Sequence, residues 1–347
     1  MSNLNVGIIG TGIFATDTHL PTINKLSNVT PTACFNRTKA KAEVFATKAN
    51  IPAESVYDSL DSIFEAKDID FIDALLPVQY NLDAVKLAIK NNKPMVMEKP
   101  IAANMDQARE IVKLSRESSL PIGVLENWSF RSAIKILKNE ILPQIGDVVS
   151  FTYSSTGPFN DDNKYINTSW RVNPEHIGGY LSDGGVHQLA LLTDVLGEVS
   201  TVSALTKQLR KESGDVDVLF STMKLDDGAI GTFTYGSAFG ATEKSLKFTI
   251  FGTNGSAIYD FSPSLSKPTI TYQTGASGQT SSGPKVIEVD EIDTFVAEFE
   301  NFAAAVVSGN KDDVVVKPEH AFHHLAIVAA ALESADKDGA NVKVEKI

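Results

Sequence analysis

Gly10-Thr11-Gly12-Ile13-Phe14-Ala15 follows directly on the apolar run LNVGII of residues 4–9 and opens a segment with helical periodicity over 13–26. A glycine turn wedged between a strand and a helix constrains the chain more than any other feature of this sequence. Gly10 permits a tight turn and Gly12 lets backbone amides approach an anion. Ala15 allows close helix-strand packing, and the helix N-terminus favours negative charge. The placement predicts a grip on the pyrophosphate of a dinucleotide, with Gly10, Gly12, Ile13 and Phe14 at the cofactor.

The following residues repeat the alternation of short apolar strands with helical segments. Strands are expected at 31–36, 70–76, 94–98 and 121–125, and helices at 38–49, 81–91 and 104–118, with Asn81 and Asn104 as N-caps. Such alternation predicts an α/β Rossmann domain, a doubly wound parallel sheet with helices on both faces. Past residue 145 the pattern becomes strands at 147–155, 200–206, 216–224, 229–237, 246–251 and 256–260, with helices at 177–196, 291–308 and 318–335. That predicts an α+β domain built on a largely antiparallel open sheet. The stretch 263–284, with its GASGQTSSGP run, is expected as an exposed hairpin or loop. At about 150 residues per domain, the length fits a cofactor domain at 1–127 followed by a substrate-binding and dimerisation domain at 128–347.

Charge narrows the partners. Lys and Arg number 31 against 43 Asp and Glu, a formal net charge of −12, so nucleic acid and anionic membranes are not attracted globally. Any phosphate must be held locally. Met1-Ser2-Asn3-Leu4 carries no basic and apolar leader, and no apolar run approaches the roughly 20 residues of a membrane span, so a cytoplasmic protein is expected. The single cysteine, Cys34, has no internal disulfide partner and lies in an apolar strand, which predicts a packing role.

The end of the second strand selects the dinucleotide. NAD-selective sites place a carboxylate there for the ribose 2′-hydroxyl. This chain instead has Asn36-Arg37-Thr38-Lys39. A guanidinium with neutral Asn36 and the hydroxyl of Thr38 suits a 2′-phosphate, so NADP(H) is expected. Glu98-Lys99-Pro100 stands at the carboxyl end of the fifth strand, where ligands of open α/β sheets bind. Farther on, Gly178-Gly179-Tyr180-Leu181-Ser182-Asp183-Gly184-Gly185-Val186-His187 puts Asp183 and His187 four residues apart on one helix face. A lysine, an aspartate and a histidine together can move a proton. No third ligand of metal-binding type stands at suitable spacing, so no metal is expected.

In combination and order, the glycine loop, Glu98-Lys99-Pro100 and Asp183 with His187 resemble the glucose-fructose oxidoreductase / inositol dehydrogenase / MocA family over essentially the full length. Blocks such as SWRVNPEHIGGYLSDGGVHQLAL, FTYGSAFGATEKS and AFHHLA are similar to a fungal cytosolic branch associated with NADP(H). The resemblance implies that Lys99, Asp183 and His187 face the nicotinamide and the substrate. It also implies a polar loop lining the nicotinamide ribose at Pro77, Gln79 and Asn81, although the histidine that often follows this loop is missing from Leu82-Asp83-Ala84. Glu98, Asn127, Trp170 and Arg171 complete the expected cofactor contacts. His19, His176 and His320 read as structural, and of His323 and His324 one is expected in the core.

The expected activity is hydride transfer between NADP(H) and a small CH–OH or C=O substrate: a sugar, polyol, diol or aldehyde. Histidine titrates closest to neutrality, which favours His187 as acid/base, with Lys99 stabilising the alkoxide and Asp183 positioning. The substrate cleft is expected between the cofactor domain and the open face of the second sheet, and relatives pair through such a sheet into homodimers. The competing reading is a catalytically silent NADP(H)-binding sensor or partner protein, because the fold alone fixes no chemistry.

Overall fold

A computed structural model describes residues 3–160, 162 and 173–347. The chain forms two compact units, Met1–Asn127 with Asp293–Phe322, and Trp128–Ile292 with His323–Ile347.

In the first unit, β1 (Leu4–Ile9), β2 (Val29–Phe35), β3 (Val56–Tyr57), β4 (Phe71–Ala74), β5 (Met95–Glu98) and β6 (Ile122–Leu125) form a six-stranded sheet of order β3-β2-β1-β4-β5-β6. Every pairing is parallel. The near-continuous apolar strands follow from cover on both faces. Val6, Ile8, Phe71 and Ile72 are wholly buried. Helices α1 (13–23), α2 (Lys39–Ala49), α3 (Leu60–Glu65), α4 (Asn81–Lys90) and α5 (Met105–Glu117) alternate with the strands. Asn104 caps α5 as expected, its side chain accepting the Gln107 N–H at 2.9 Å. Asn81 does not cap α4; Tyr80 holds that position, and Asn81 is buried inside the first turn. Cys34 is buried with its Sγ donating to Ala42 O at 3.6 Å, and burial pushes its thiol up to about 11.

Two helices contain a π turn. One is α1, at Ala15–His19; the other is α6 (132–145), at Leu137–Ile141. In each, a proline stands two residues past the turn, Pro21 or Pro143. A proline lacks the N–H for the i−4 carbonyl and its ring crowds that carbonyl, so the helix widens just before it.

The sequence pattern placed 128–347 in one domain. The structure instead assigns Asp293–Phe322 to the first unit. Here α8 (Thr294–Ser308) puts Phe299, Phe302, Ala303 and Ala305 into the core of Val6, Ile8, Phe45 and Phe71. Phe302 meets Phe71 edge-on at 5.5 Å. Gly123 in β6 makes room, since a Cβ there would lie 3.2 Å from Phe302 and from Val314.

In the second unit, β7 (Val148–Pro158), β8 (Val199–Lys207), β9 (Val218–Leu225), β10 (Ile230–Phe239), β11 (Ser245–Gly252), β12 (Gly255–Asp260), β13 (Thr269–Thr274), β14 (Lys285–Glu288) and β15 (Val342–Lys343) form a nine-stranded sheet. Its order is β14-β13-β12-β11-β7-β10-β9-β8-β15, and only β7 with β10 is parallel. The glycine-rich stretch is a hairpin, β13 pairing with β14 across a turn at Gly278–Thr280. Helix α7 (Gly179–Leu196) lies on one face of the sheet. Tyr153 donates to Gln188 Oε1 at 2.8 Å, and Tyr180 stacks on Tyr235 at 5.5 Å. Gly184 is what permits this approach: a Cβ there would sit 2.0 Å from the Tyr235 hydroxyl. The last helix, α9 (Pro318–Asp336), buries both His323 and His324; His323 Nε2 accepts the Val199 N–H at 3.0 Å.

Candidate functional site

At the carboxyl end of the parallel sheet, the glycine loop is tied to β2 by Gly10 N–H donating to Phe35 O at 2.9 Å. Gly10 has φ +91°, and a Cβ there would lie 2.2 Å from Leu75 O, so the turn demands glycine twice over. Gly12 is different: a Cβ there would meet nothing within 4 Å. Its backbone is therefore open to a ligand. Between them Thr11 is 5% exposed with no protein partner for Oγ1. An orphaned buried hydroxyl beside an open backbone and a helix start is a cradle for a phosphate, and a dinucleotide fits the residues present. Ile13 is left 47% exposed at the mouth of the loop, and Phe14 packs edge-on against Phe295 at 6.2 Å.

Beyond β2, Asn36 Oδ1 accepts the Thr38 N–H at 2.9 Å, a turn that leaves Arg37, Thr38 and Lys39 exposed. Lys39 pairs with Asp58 at 2.8 Å, and both side chains are largely exposed. After β4, Pro77 is exposed and Gln79 half-buried in the turn Val78–Tyr80. Asn81 turns inward, with Nδ2 spanning Glu98 O at 3.4 Å, Pro100 O at 3.4 Å and Ile101 O at 3.2 Å. Lys99 is half-buried directly after β5, and its bond to Pro100 is cis. Asn127 Nδ2 donates to Thr294 Oγ1 at 2.8 Å.

Sequence reasoning gave His19 only a structural role, and the structure puts it beneath the loop that carries Lys99. It is wholly buried, with Nδ1 2.7 Å from Asp73 Oδ2 and Nε2 3.0 Å from Glu98 Oε1. Burial alone would lower its pKa, but the charges and hydrogen bonds of Asp73 and Glu98 outweigh that and push it up to about 10. Glu298 on α8 is buried nearby, and burial, then the charge of Glu98, holds its carboxyl well above the usual range.

In the second unit Asp183 and His187 are half-buried on α7. His187 stacks on Trp128 at 5.7 Å, the rings 23° apart. The Arg131 guanidinium lies 4.9 Å over Trp128 and 4.9 Å over Phe261. Glu291 holds it at 3.2 Å and accepts the Tyr259 hydroxyl at 2.7 Å. Beside Asp183, burial, then the neighbouring Tyr180 and Asp183, keeps the Tyr235 phenol well above its ordinary value. The expected cofactor contacts Trp170 and Arg171 lie outside the described residues. Sequence reasoning passed over Trp128, which stacks on the candidate residue His187, and an aromatic directly after Asn127 was its only signal. Among the described residues, no group of three His, Cys, Asp or Glu is placed to hold a metal ion.

The profile described as "Oxidoreductase family, NAD-binding Rossmann fold" matches residues 4–125, and "Oxidoreductase family, C-terminal alpha/beta domain" matches 138–344. The chain belongs to the GFO/IDH/MocA oxidoreductase family. The GFO/IDH/MocA relatives include the uncharacterized protein YMR315W of Saccharomyces cerevisiae, 51% identical over 100% of both chains. Dehydrogenase FPY6 of Fusarium mangiferae is 28% identical over 97% of each. Among solved structures, an oxidoreductase of Thermotoga maritima superposes with a TM-score of 0.85 at 30% identity, over 99% of this chain and 98% of that one. A levoglucosan dehydrogenase in complex with NADH and levoglucosan shares the fold at a TM-score of 0.84 and 20% identity, over the whole of both chains.

Proposed function

We propose that this GFO/IDH/MocA protein is an NADP(H)-dependent dehydrogenase or reductase acting on the CH–OH or C=O carbon of a sugar, polyol, diol or aldehyde. The observation that carries the reading is Lys99, half-buried at the carboxyl end of β5 in the same unit as the open Gly12 backbone. When bound, the nicotinamide supplies or accepts the hydride. The chain's part is the proton. The Lys99 ammonium donates a hydrogen bond to the substrate oxygen and stabilises negative charge as its proton leaves. His187 accepts that proton at its imidazole, its ring plane fixed by Trp128, and Asp183 orients the substrate. Asn36 and Arg37 favour a 2′-phosphate because no carboxylate ends β2. Relatives named for sugars, levoglucosan dehydrogenase and the D-apiose dehydrogenase of Rhizobium rhizogenes, support the substrate class.

The test is turnover. A panel of aldoses, anhydrosugars, polyols, diols and aldehydes is followed by NADPH and NADH absorbance, with Lys99→Ala as control. At least one compound is expected to turn over with the wild type and not with the variant. A wild type that exceeds Lys99→Ala on nothing supports the silent sensor instead. Two further readings accompany this one: a reducing, cytoplasmic setting, in keeping with the lone buried Cys34, and a homodimer through the open face of the second sheet.

A further inference from the structure

His19 is an unusual burial. A neutral imidazole has one N–H, yet both of its nitrogens face carboxylate oxygens, Asp73 on β4 and Glu98 at the end of β5. Satisfying both contacts takes two protons within the triad. The ring is also boxed by Phe14 of the glycine loop at 5.1 Å and Phe299 of α8 at 5.2 Å, both edge-on. Four segments therefore meet on one side chain: the helix that leaves the glycine loop, the central strand β4, the strand that delivers Lys99, and α8. The backbone of the same turn is held from the other side by Asn81 through the carbonyls of Glu98, Pro100 and Ile101.

We propose that His19 is the positioning residue of the Glu98-Lys99-Pro100 turn: as a doubly hydrogen-bonded imidazolium it fixes the Glu98 side chain and so the direction from which Lys99 reaches the substrate oxygen. The proposal rests on the reading that Lys99 handles the substrate proton. Alternative roles fit less well. A structural filler between two helices and a sheet needs no charge, and a carboxylate pair against an imidazolium in a buried site costs desolvation that apolar packing would avoid. A geometry worth that cost is one that a reaction uses. The charged groups that face the ring are Asp73 on β4 and Glu98 on β5, with Glu298 on α8 coupled to it and Glu126 after β6 acting on Glu298.

The pH dependence follows from the raised pKa. The stabilisation due to the bound proton is fully present below the ordinary histidine range and is lost as pH rises through about 10. The experiment compares wild type with His19→Gln and, because that change lies in the core, with Glu98→Leu and Glu98→Gln, Glu98 being 17% exposed. Three readings are taken. They are the kinetics on whichever panel compound turns over, the rate of Lys99 acetylation by acetic anhydride relative to the other lysines, and the melting temperature from neutral pH to pH 10. His19→Gln and Glu98→Leu are expected to lower kcat roughly 10–100-fold, and in His19→Gln, which is not among the cofactor contacts, the melting shift on adding NADPH persists. Lys99 acetylation should depart from wild type by more than the scatter among other lysines, and Glu98→Gln should retain more kcat than Glu98→Leu because its amide oxygen still accepts from His19. The fall in melting temperature towards pH 10 should flatten in His19→Gln. Folded variants with wild-type kcat and wild-type Lys99 acetylation overturn the proposal. If no panel compound is turned over by the wild type, the activity reading fails by itself, and acetylation still reports on His19.

Discussion

At the residue scale the proposed choice of NADP(H) hangs on Arg37. Its exposed guanidinium follows an Asn36 side chain already committed to the Thr38 amide, so the turn is preformed and the charge is available for a phosphate. Arg37→Ala is expected to weaken NADPH binding by about 1.5–3 kcal/mol, the scale of a charged hydrogen bond, and to leave NADH binding nearly unchanged. Calorimetric titration of both cofactors checks it; equal losses would remove the 2′-phosphate assignment. The turn at Gly10 and Gly12 and the strand-end place of Lys99 were legible because backbone demands and strand ends leave local marks. The partners of His19 were not, since Asp73 and Glu98 lie 54 and 79 residues away and no periodicity encodes that meeting. Asn81 was misread for a related reason. An asparagine before a helical run has the composition of a cap, but burial redirected its amide to carbonyls 17 to 20 residues on.

At the scale of elements, most long strands and helices were legible from period, but α6 (132–145), interrupted by its π turn and Pro143, was missed along with the short ones. β3 has two residues and α3 six, too few to show a repeat, although Ser59 and Ser62 form a capping box at α3. Helix α8 was found, but its unit was not. An amphipathic pattern says that a face is buried without saying against what, and here the answer lies in Gly123 and Phe71, 179 and 231 residues before Phe302. The packing implies a measurable cost. Phe302→Ala removes a side chain 2% exposed, and is expected to destabilise the first unit by about 3–5 kcal/mol because β6 and Phe71 cannot collapse into the space. Urea unfolding with NADPH present and absent checks it. A loss in the range of surface substitutions would show that α8 is not part of that core.

At the scale of the whole molecule, the two sheets differ in what covers them. The parallel sheet alternates its strands with helices, whereas among the described residues the nine-stranded sheet carries α7 on one face. On the opposite face the register aligns Leu205 with Phe220, Phe251 and Ile230 with Ser150, and Ile258 and Val286 with Thr271. These six apolar side chains, 40 to 63% exposed, stand among serines and threonines. Such a population of exposed apolar side chains supports the proposed homodimer, with a second copy of this chain as the occupant of the face. Across a two-fold axis one substitution acts on both protomers, and each buried phenylalanine is worth about 1.5–3 kcal/mol. Phe220→Glu should therefore shift the protein from dimer to monomer in light scattering coupled to gel filtration, while circular dichroism keeps the fold signature because the position is exposed in the single chain. A wild type that is monomeric at the highest concentration tested, or a Phe220→Glu variant that remains dimeric, would remove the second sheet from the assembly and leave its apolar face to another partner.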